Sequence, residues 1–185
     1  MTHRFPKAYA DQVAKLRVPS GFILVLAFAW LSLPTPRSLL LGTPIALIGL
    51  TLRAWAAGNL TKDRELTTQG PYSLLRNPLY LGTLLVGIGF VFASRSFVLG
   101  LVFAAVFAFI YLPAIELEEQ HLRSLFPGFT EYAARVPRLF PSFHITAATR
   151  HFRCSLYRKN REYQAAFGFS AGLIWLVTKT CLAGG

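Results

Sequence analysis

The sequence predicts an all-α protein, a polytopic membrane bundle of five transmembrane helices with a polar pocket on the cytoplasmic side. Composition is the first reason: 54% of the 185 residues are apolar and 15% are charged, against about 25% charged in a typical soluble domain. A water-soluble globule of this length needs more polar surface, and mean hydropathy is positive at +0.45. Distribution is the second, because the apolar residues gather in long blocks instead of the spacing of amphipathic helices. The third is a strong imbalance of Lys and Arg between alternate connections. Together these exclude an ordinary soluble enzyme, a disordered chain and a disulfide scaffold. Cys154 and Cys181 lie far apart and offer neither metal spacing nor a pairing argument.

The first span is expected over 18–33, where Pro34-Thr35-Pro36 ends it, and the second over 38–57. The third covers 78–93 and opens on Asn77-Pro78, a cap followed by proline at the first helical position. Ser94-Arg95-Ser96 makes a tight reversal into the fourth, 97–115, and the fifth covers 165–183. Each approaches the roughly 20 residues a helix needs to cross hydrocarbon. The first and third are short, and so are expected to extend by a turn or to pair with tilted neighbours. The chain, 1–185, reads as one domain in which no repeat is visible.

Of the 19 basic residues, 15 fall before the first span, in the 59–77 loop or in the 116–164 segment, and 2 in the opposite connections. That asymmetry puts the N-terminus and both longer connections in the cytoplasm. All 8 acidic residues lie on the same side, so the polar chemistry belongs there. No secretory signal is expected, since 17 mostly polar residues precede the first span. The terminal CLAGG is not a prenylation box. The basic segment 142–164, Arg- and His-rich over 144–163, reads as a membrane-surface stretch on anionic lipid, at about 1 kcal/mol per basic residue. A nucleic-acid partner is therefore not expected.

Three features stand out for chemistry. Residues 64–80 run into the third span, with a turn forced at Gly70-Pro71, tyrosines at 72 and 80, and a helix N-terminus at Asn77 whose free amides face the loop. A helix cap flanked by two interfacial tyrosines is the plainer reading. At the end of the fourth span, Glu116, Glu118 and Glu119 follow an apolar run where the helix macrodipole disfavours them. Either the helix continues to Phe126-Pro127-Gly128 or a cation compensates, a Glu119–Arg123 pair at i,i+4 being the plain alternative. Third, Arg53 lies within the second span, so it faces a partner or polar cavity, or it snorkels to the interface. Gly87-Ile88-Gly89 reads as a close helix contact, not a nucleotide loop.

The stretch GPYSLLRNPLY, followed about forty residues later by ELEEQHLRSLFPGFTEYAARVPRLFP, resembles the isoprenylcysteine carboxyl methyltransferase and phospholipid methyltransferase superfamily of integral membrane enzymes. The likeness covers roughly 38–141, the implied catalytic unit, and leaves 165–183 as an extra span. It implies S-adenosylmethionine as methyl donor. Leu66 and Thr67 would contact it through the backbone, with Tyr72, Arg76, Asn77, Pro78, Tyr80, Glu118 and Glu119 completing the pocket. The chemistry suits the donor: its ammonium favours carboxylates, its sulfonium aromatic faces, and its carboxylate Arg76 or the Asn77 helix start. Methyl transfer is an in-line displacement, so alignment and water exclusion suffice and no metal is expected. Glu116 and Glu119 are the candidate proton acceptors, and Arg53 the third candidate catalytic group.

The departures bear on the acceptor. Asn77 stands where the isoprenylcysteine enzymes have histidine, an Asn form that also occurs in phosphatidylethanolamine methyltransferases. Leu112-Pro113-Ala114-Ile115 lacks the cation that could hold a carboxylate there. Phe126-Pro127 replaces Phe-Gly, and Phe129 stands at the first tyrosine position. A lipophilic or lipid acceptor, bearing an amine, thiol or other nucleophile, is expected from the membrane. Two alternatives remain. An NADPH-dependent reductase of the sterol reductase type would carry Arg-Asp and Lys-Tyr-Gly elements where this chain has Glu118-Glu119 and Phe126-Pro127. In a noncatalytic scaffold, the charged residues would be simple salt bridges. Oligomeric state is not legible.

Overall fold

The computed structural model describes residues 7–141 and 151–184, and all regular structure among them is helical. Helix α1 (Lys7–Leu31) is followed by α2 (Pro36–Ala57), a 3₁₀ turn (Gly70–Ser73) and α3 (Pro78–Ser94). Next come α4 (Phe97–Val106), a π turn (Phe107–Tyr111) and α5 (Leu112–Leu125), which run on as one 29-residue rod. Two short helices, α6 (Phe129–Arg135) and α7 (Cys154–Lys159), precede α8 (Tyr163–Gly184). Three helical stretches are long and apolar enough to cross a membrane: Pro36–Ala57, Phe97–Leu125 and Tyr163–Ala183. Two of the five expected spans fall instead on shorter apolar helices, Pro19–Leu31 and Pro78–Ser94.

The outward faces of α1, α2, α4 and α8 display Trp30, Leu40, Phe97 and Ile174, among many other exposed large apolar side chains. Water does not tolerate apolar surface on that scale, whereas hydrocarbon does. The fourth rod passes its expected end at 115 and continues through the glutamate cluster to Leu125, so the carboxylates sit mid-helix, away from an unfavourable terminus.

The tightest crossing joins α2 to α3. A Cβ added to Gly49 would lie 2.6 Å from the Gly82 carbonyl oxygen, and one added to Gly89 would lie 2.5 Å from the Ala46 nitrogen. Small residues let the two backbones touch, which is how helices associate where no hydrophobic drive exists. The expected role of Gly89 as a close contact holds, and Gly87 faces the Phe103 ring.

At the hairpin tips, Thr35 and Ser38 form a capping box, Ser38 Oγ donates to the Ala93 carbonyl at 2.9 Å, and Leu33 N donates to the Ser94 carbonyl at 2.8 Å. The 94–96 reversal turns on Arg95, whose φ is 53°. Lys179 of α8 donates to the Ala29 and Trp30 carbonyls at the open end of α1. Of the basic segment, 142–150 lie outside the described residues; the remainder packs on α2, with Arg153 N donating to the Gly58 carbonyl at 3.0 Å.

Candidate functional site

The loop after α2 is shaped by Gly70, whose φ of +61° only glycine adopts without strain. The resulting turn is closed by Ser73 Oγ donating to the Gly70 carbonyl at 2.7 Å, and it buries Tyr72. Residues 126–138 fold over this turn. Phe129, Tyr132 and Val136 form a small core against Leu66 and Leu122, Tyr132 Oη donates to the Tyr72 carbonyl at 2.6 Å, and Arg76 N donates to the Pro137 carbonyl at 2.9 Å. Phe129, the departure at the first tyrosine position, is 1% exposed and keeps that core apolar.

A buried charge network locks this cap to α5. Glu119 accepts from Arg76 Nε at 3.0 Å, Arg76 Nη2 at 3.2 Å and Asn77 Nδ2 at 2.8 Å, and Arg138 Nε adds an ion-pair contact at 3.3 Å that is not aligned as a hydrogen bond. Arg138 also reaches Glu116 at 3.7 Å, and Arg76 Nη1 donates to the Ala133 carbonyl at 2.6 Å. Three expectations change here. Asn77 occupies the cap position of α3 but makes no side-chain cap bond, because its amide is drawn to the buried Glu119 carboxylate. Glu119 does not pair with Arg123, which lies over the Phe129 ring at 5.4 Å, since buried cations satisfy Glu119 better than a solvated one. Arg76 is committed to Glu119 and is not free to receive a donor carboxylate.

Beside this network lies a cavity of about 320 Å³, within the range of small-molecule sites. Seven of the expected residues line it: Leu66, Thr67, Tyr72, Asn77, Pro78, Tyr80 and Glu118. Arg76, Glu116 and Glu119 stand behind the wall, and Arg53 lies elsewhere. The wall also includes Lys62, Asp63, His121, Leu122 and Tyr132, which the sequence reading missed. His121 and Leu122 follow Glu118 at i+3 and i+4, on the same helix face. Lys62 and Asp63 belong to a loop with no periodicity to betray them. Tyr80 Oη donates to Glu118 at 2.9 Å, which aims the carboxylate. Burial pushes the Tyr72 phenol far above its usual range; Glu118, Tyr132 and Glu162 add to this and Arg53 opposes it. Burial likewise raises Tyr132, with Arg76 opposing and Glu119 adding. Both are neutral hydroxyls at any physiological pH.

Arg53 has a partner and does not snorkel. Its Nε meets Glu162 at 2.5 Å, and Nη1 donates to Thr83 Oγ1 and to the Leu79 carbonyl. Glu162, the one acidic residue in 142–164, is 109 positions away in sequence. Arg53 lines a second cavity of about 610 Å³ between α1, α2, α3, α4 and α8, walled by rings that include Phe28, Phe90, Phe103, Phe169 and Trp175. The two cavities meet at an aromatic pair: Tyr80 of the first packs edge-on against Tyr111 of the second, with centroids 6.2 Å apart. A wider, open depression at the hairpin tips, lined by Arg37 and Arg95, contains no carboxylate and none of the motif residues.

The family model described as "Phospholipid methyltransferase" matches residues 38–128, which supply the first cavity's loop, α3 and α5. Over this stretch, just under half of the chain, the sequence is similar to the phospholipid methyltransferase family. Two curated relatives are similar. The cobalt-zinc-cadmium resistance protein CzcN of Cupriavidus metallidurans is 39% identical over 121 residues, 64% of this chain and 50% of its own length. The nickel-cobalt-cadmium resistance protein NccN of Alcaligenes xylosoxydans xylosoxydans is 34% identical over 142 residues, 75% of this chain and 60% of its own. The chain thus spans half to three-fifths of these relatives. No solved structure matches it with significance. The loop leading into α3 and α5 fall inside the matched stretch, whereas Glu162 and α8 fall outside it.

Proposed function

We propose that this protein is an integral membrane methyltransferase that takes its methyl group from S-adenosylmethionine at the cytoplasmic face and passes it to a lipophilic acceptor. The unit responsible is residues 38–141, in a bundle of five crossings that counts Pro19–Leu31 and Pro78–Ser94 as the two shorter ones. The observation that carries the reading is the convergence of Leu66, Thr67, Tyr72, Tyr80 and Glu118 on one cavity, although the loop and α5 motifs lie about forty residues apart. These groups fit the donor: Glu118 suits an ammonium or ribose hydroxyls, Lys62 a carboxylate, and the Tyr72 and Tyr80 rings a sulfonium.

When bound, S-adenosylmethionine supplies a methyl carbon activated by attachment to a positive sulfur. The chain does the remainder by placement. Glu116 and Glu119, expected as proton acceptors, are held by Arg138 and Arg76, so they fix the cap against α5. Glu118, which lies on the wall together with Asp63 and Glu65, is the α5 carboxylate placed to take a proton as an acceptor is methylated. Tyr80 and Tyr111 exclude water between the two cavities. Arg53 and the apolar chamber beside it suit a molecule arriving sideways from the membrane, and their part is to position that acceptor.

The two relatives are named for metal resistance, but among the described residues no three His, Cys, Asp or Glu gather as a metal cage. A role of that kind here would act through chemistry on a membrane molecule. Calorimetric titration of the purified protein in detergent tests the donor reading. Saturable binding of S-adenosylmethionine, weakened about tenfold in Glu118→Ala by loss of a charge-assisted bond worth about 1.5 kcal/mol and also weakened in Tyr80→Phe, is expected. Absence of binding, or saturable binding of NADPH instead, would overturn it.

A further inference from the structure

The depression at the hairpin tips takes no part in the donor cavity or the apolar chamber. It measures about 890 Å³ and lies where the first turn of α2, the last turn of α3 and the start of α4 meet. Arg37 and Arg95 stand on its wall. Both are exposed, and neither guanidinium has a hydrogen-bond or ion-pair partner among the described residues. The deeper arginines differ, because Arg53, Arg76 and Arg138 each meet a carboxylate. Neither tip, 34–37 or 94–96, contains an acidic residue, so no lining group neutralises the pair. Cations are disfavoured in outward connections, yet the two that the proposed topology places there share one depression.

The two helix starts here are already capped: Thr35 Oγ1 accepts from Ser38 N and Ser96 Oγ from Leu99 N. The groups left to meet a ligand are therefore the guanidiniums, whose planar forks suit phosphate oxygens. The rest of the wall is largely apolar, with Leu41, Val91, Phe92 and Phe97, and Leu41, Phe92 and Phe97 are exposed. Leu41 follows Arg37 by one turn of α2, and Phe92 precedes Arg95 by about one turn of α3. An apolar trough thus runs from the two cations toward the hydrocarbon. Paired cations above such a trough match an amphiphile, whereas a free phosphate would use only the upper half.

We propose that this depression is a binding site for an anionic phospholipid, whose phosphodiester is held by Arg37 and Arg95 and whose acyl chains lie along Leu41, Val91 and Phe92. A zwitterionic lipid fits less well, because its ammonium meets two cations and no carboxylate among the lining residues. A phosphate shared by both side chains ties the α1–α2 hairpin to the α3–α4 hairpin through their tips. The site stands apart from the methyltransferase reading, since none of its lining residues borders the donor cavity.

Native mass spectrometry of the full chain, released from detergent after incubation with equimolar phosphatidylglycerol and phosphatidylethanolamine of the same acyl chains, tests the proposal. The first lipid retained is expected to be phosphatidylglycerol, at least about fivefold over phosphatidylethanolamine, and excess inorganic phosphate should not displace it. Arg37→Gln and Arg95→Asn should each lower that retention about fivefold, which corresponds to about 1 kcal/mol per cation. Asparagine is chosen at 95 because it tolerates the left-handed φ of 53°. Arg158→Gln combined with Lys159→Gln, which removes charge from α7 at the other end of α2, should leave the first lipid in place. Equal retention of the two lipids by the unaltered protein would overturn the proposal without recourse to any variant. So would displacement by inorganic phosphate, or a first lipid lost from the α7 variant and kept by both tip variants.

Discussion

Glu119 shows how one side chain organises the site without lining it. The residue is 6% exposed, and its carboxylate receives Arg76 and Asn77 from the start of α3 and Arg138 from the segment after α6. Removing one member of such a buried network leaves charges desolvated and unpaired, which costs about 3–5 kcal/mol. Glu119→Gln is therefore expected to lower the detergent melting temperature sharply. It should weaken donor binding only through that loss of order, so binding recovers when the sample is cooled well below the melt. Glu118→Ala behaves in the opposite way, because Glu118 lies on the cavity wall: stability changes little and binding falls at every temperature. A Glu119→Gln protein that melts like the unaltered one would contradict this division. The sequence marks both residues as part of a motif, but adjacent positions on a helix point about 100° apart, so their roles differ by direction.

Among the elements, α2 and α3 are held by backbone proximity, and the glycines that permit it differ sharply from those that do not. Gly49→Ala would push a methyl against the Gly82 carbonyl oxygen and the Val86 nitrogen. Overpacking of that kind costs about 1–3 kcal/mol. Gly21 in α1 has nothing within 4 Å of an added Cβ, so Gly21→Ala should be neutral or stabilising by up to about 1 kcal/mol through helix propensity. Paired thermal melts in one detergent read the difference, and equal effects would mean the crossing is looser than described. The π turn at Phe107–Tyr111 is a second element-level device. It stacks Phe107 on Tyr111 at 5.6 Å and sets Tyr111 where the two cavities meet, a placement in keeping with the frequency of π turns at functional sites.

For the whole molecule, the decisive quantity is the placement of charge across the membrane. The proposed topology, in which the connections holding 15 basic residues face inward and those holding 2 face outward, would put the cavity of Leu66, Tyr80 and Glu118 in the cytoplasm. Cys154 is exposed at the start of α7, on the inward side of the proposed topology, and Arg95 lies at the tips on its outward side. In a Cys181→Ser background, a membrane-impermeant maleimide applied to intact cells should miss Cys154 until the membrane is opened. An Arg95→Cys, Cys154→Ser protein should be labelled from outside. The reverse pattern would invert the topology and detach the site from the cytosolic donor.

The all-helical build, the location of the five apolar helical stretches and the two motif regions could be read from the sequence, because apolar runs, proline-led starts and charge counts are local properties of a chain; the short α6 and α7 could not. Seven wall residues of the first cavity were legible for the same reason, since they belong to contiguous motifs that a resemblance can index. The structure alone decided which motif residues face the hollow and which stand behind it, and that Asn77 abandons its cap for Glu119. It alone revealed that Arg53 is answered from 109 positions away by Glu162. Partnerships of this kind depend on how helices cross and which faces they present. No local pattern records such geometry, because a buried charge constrains its surroundings and not its neighbours along the chain.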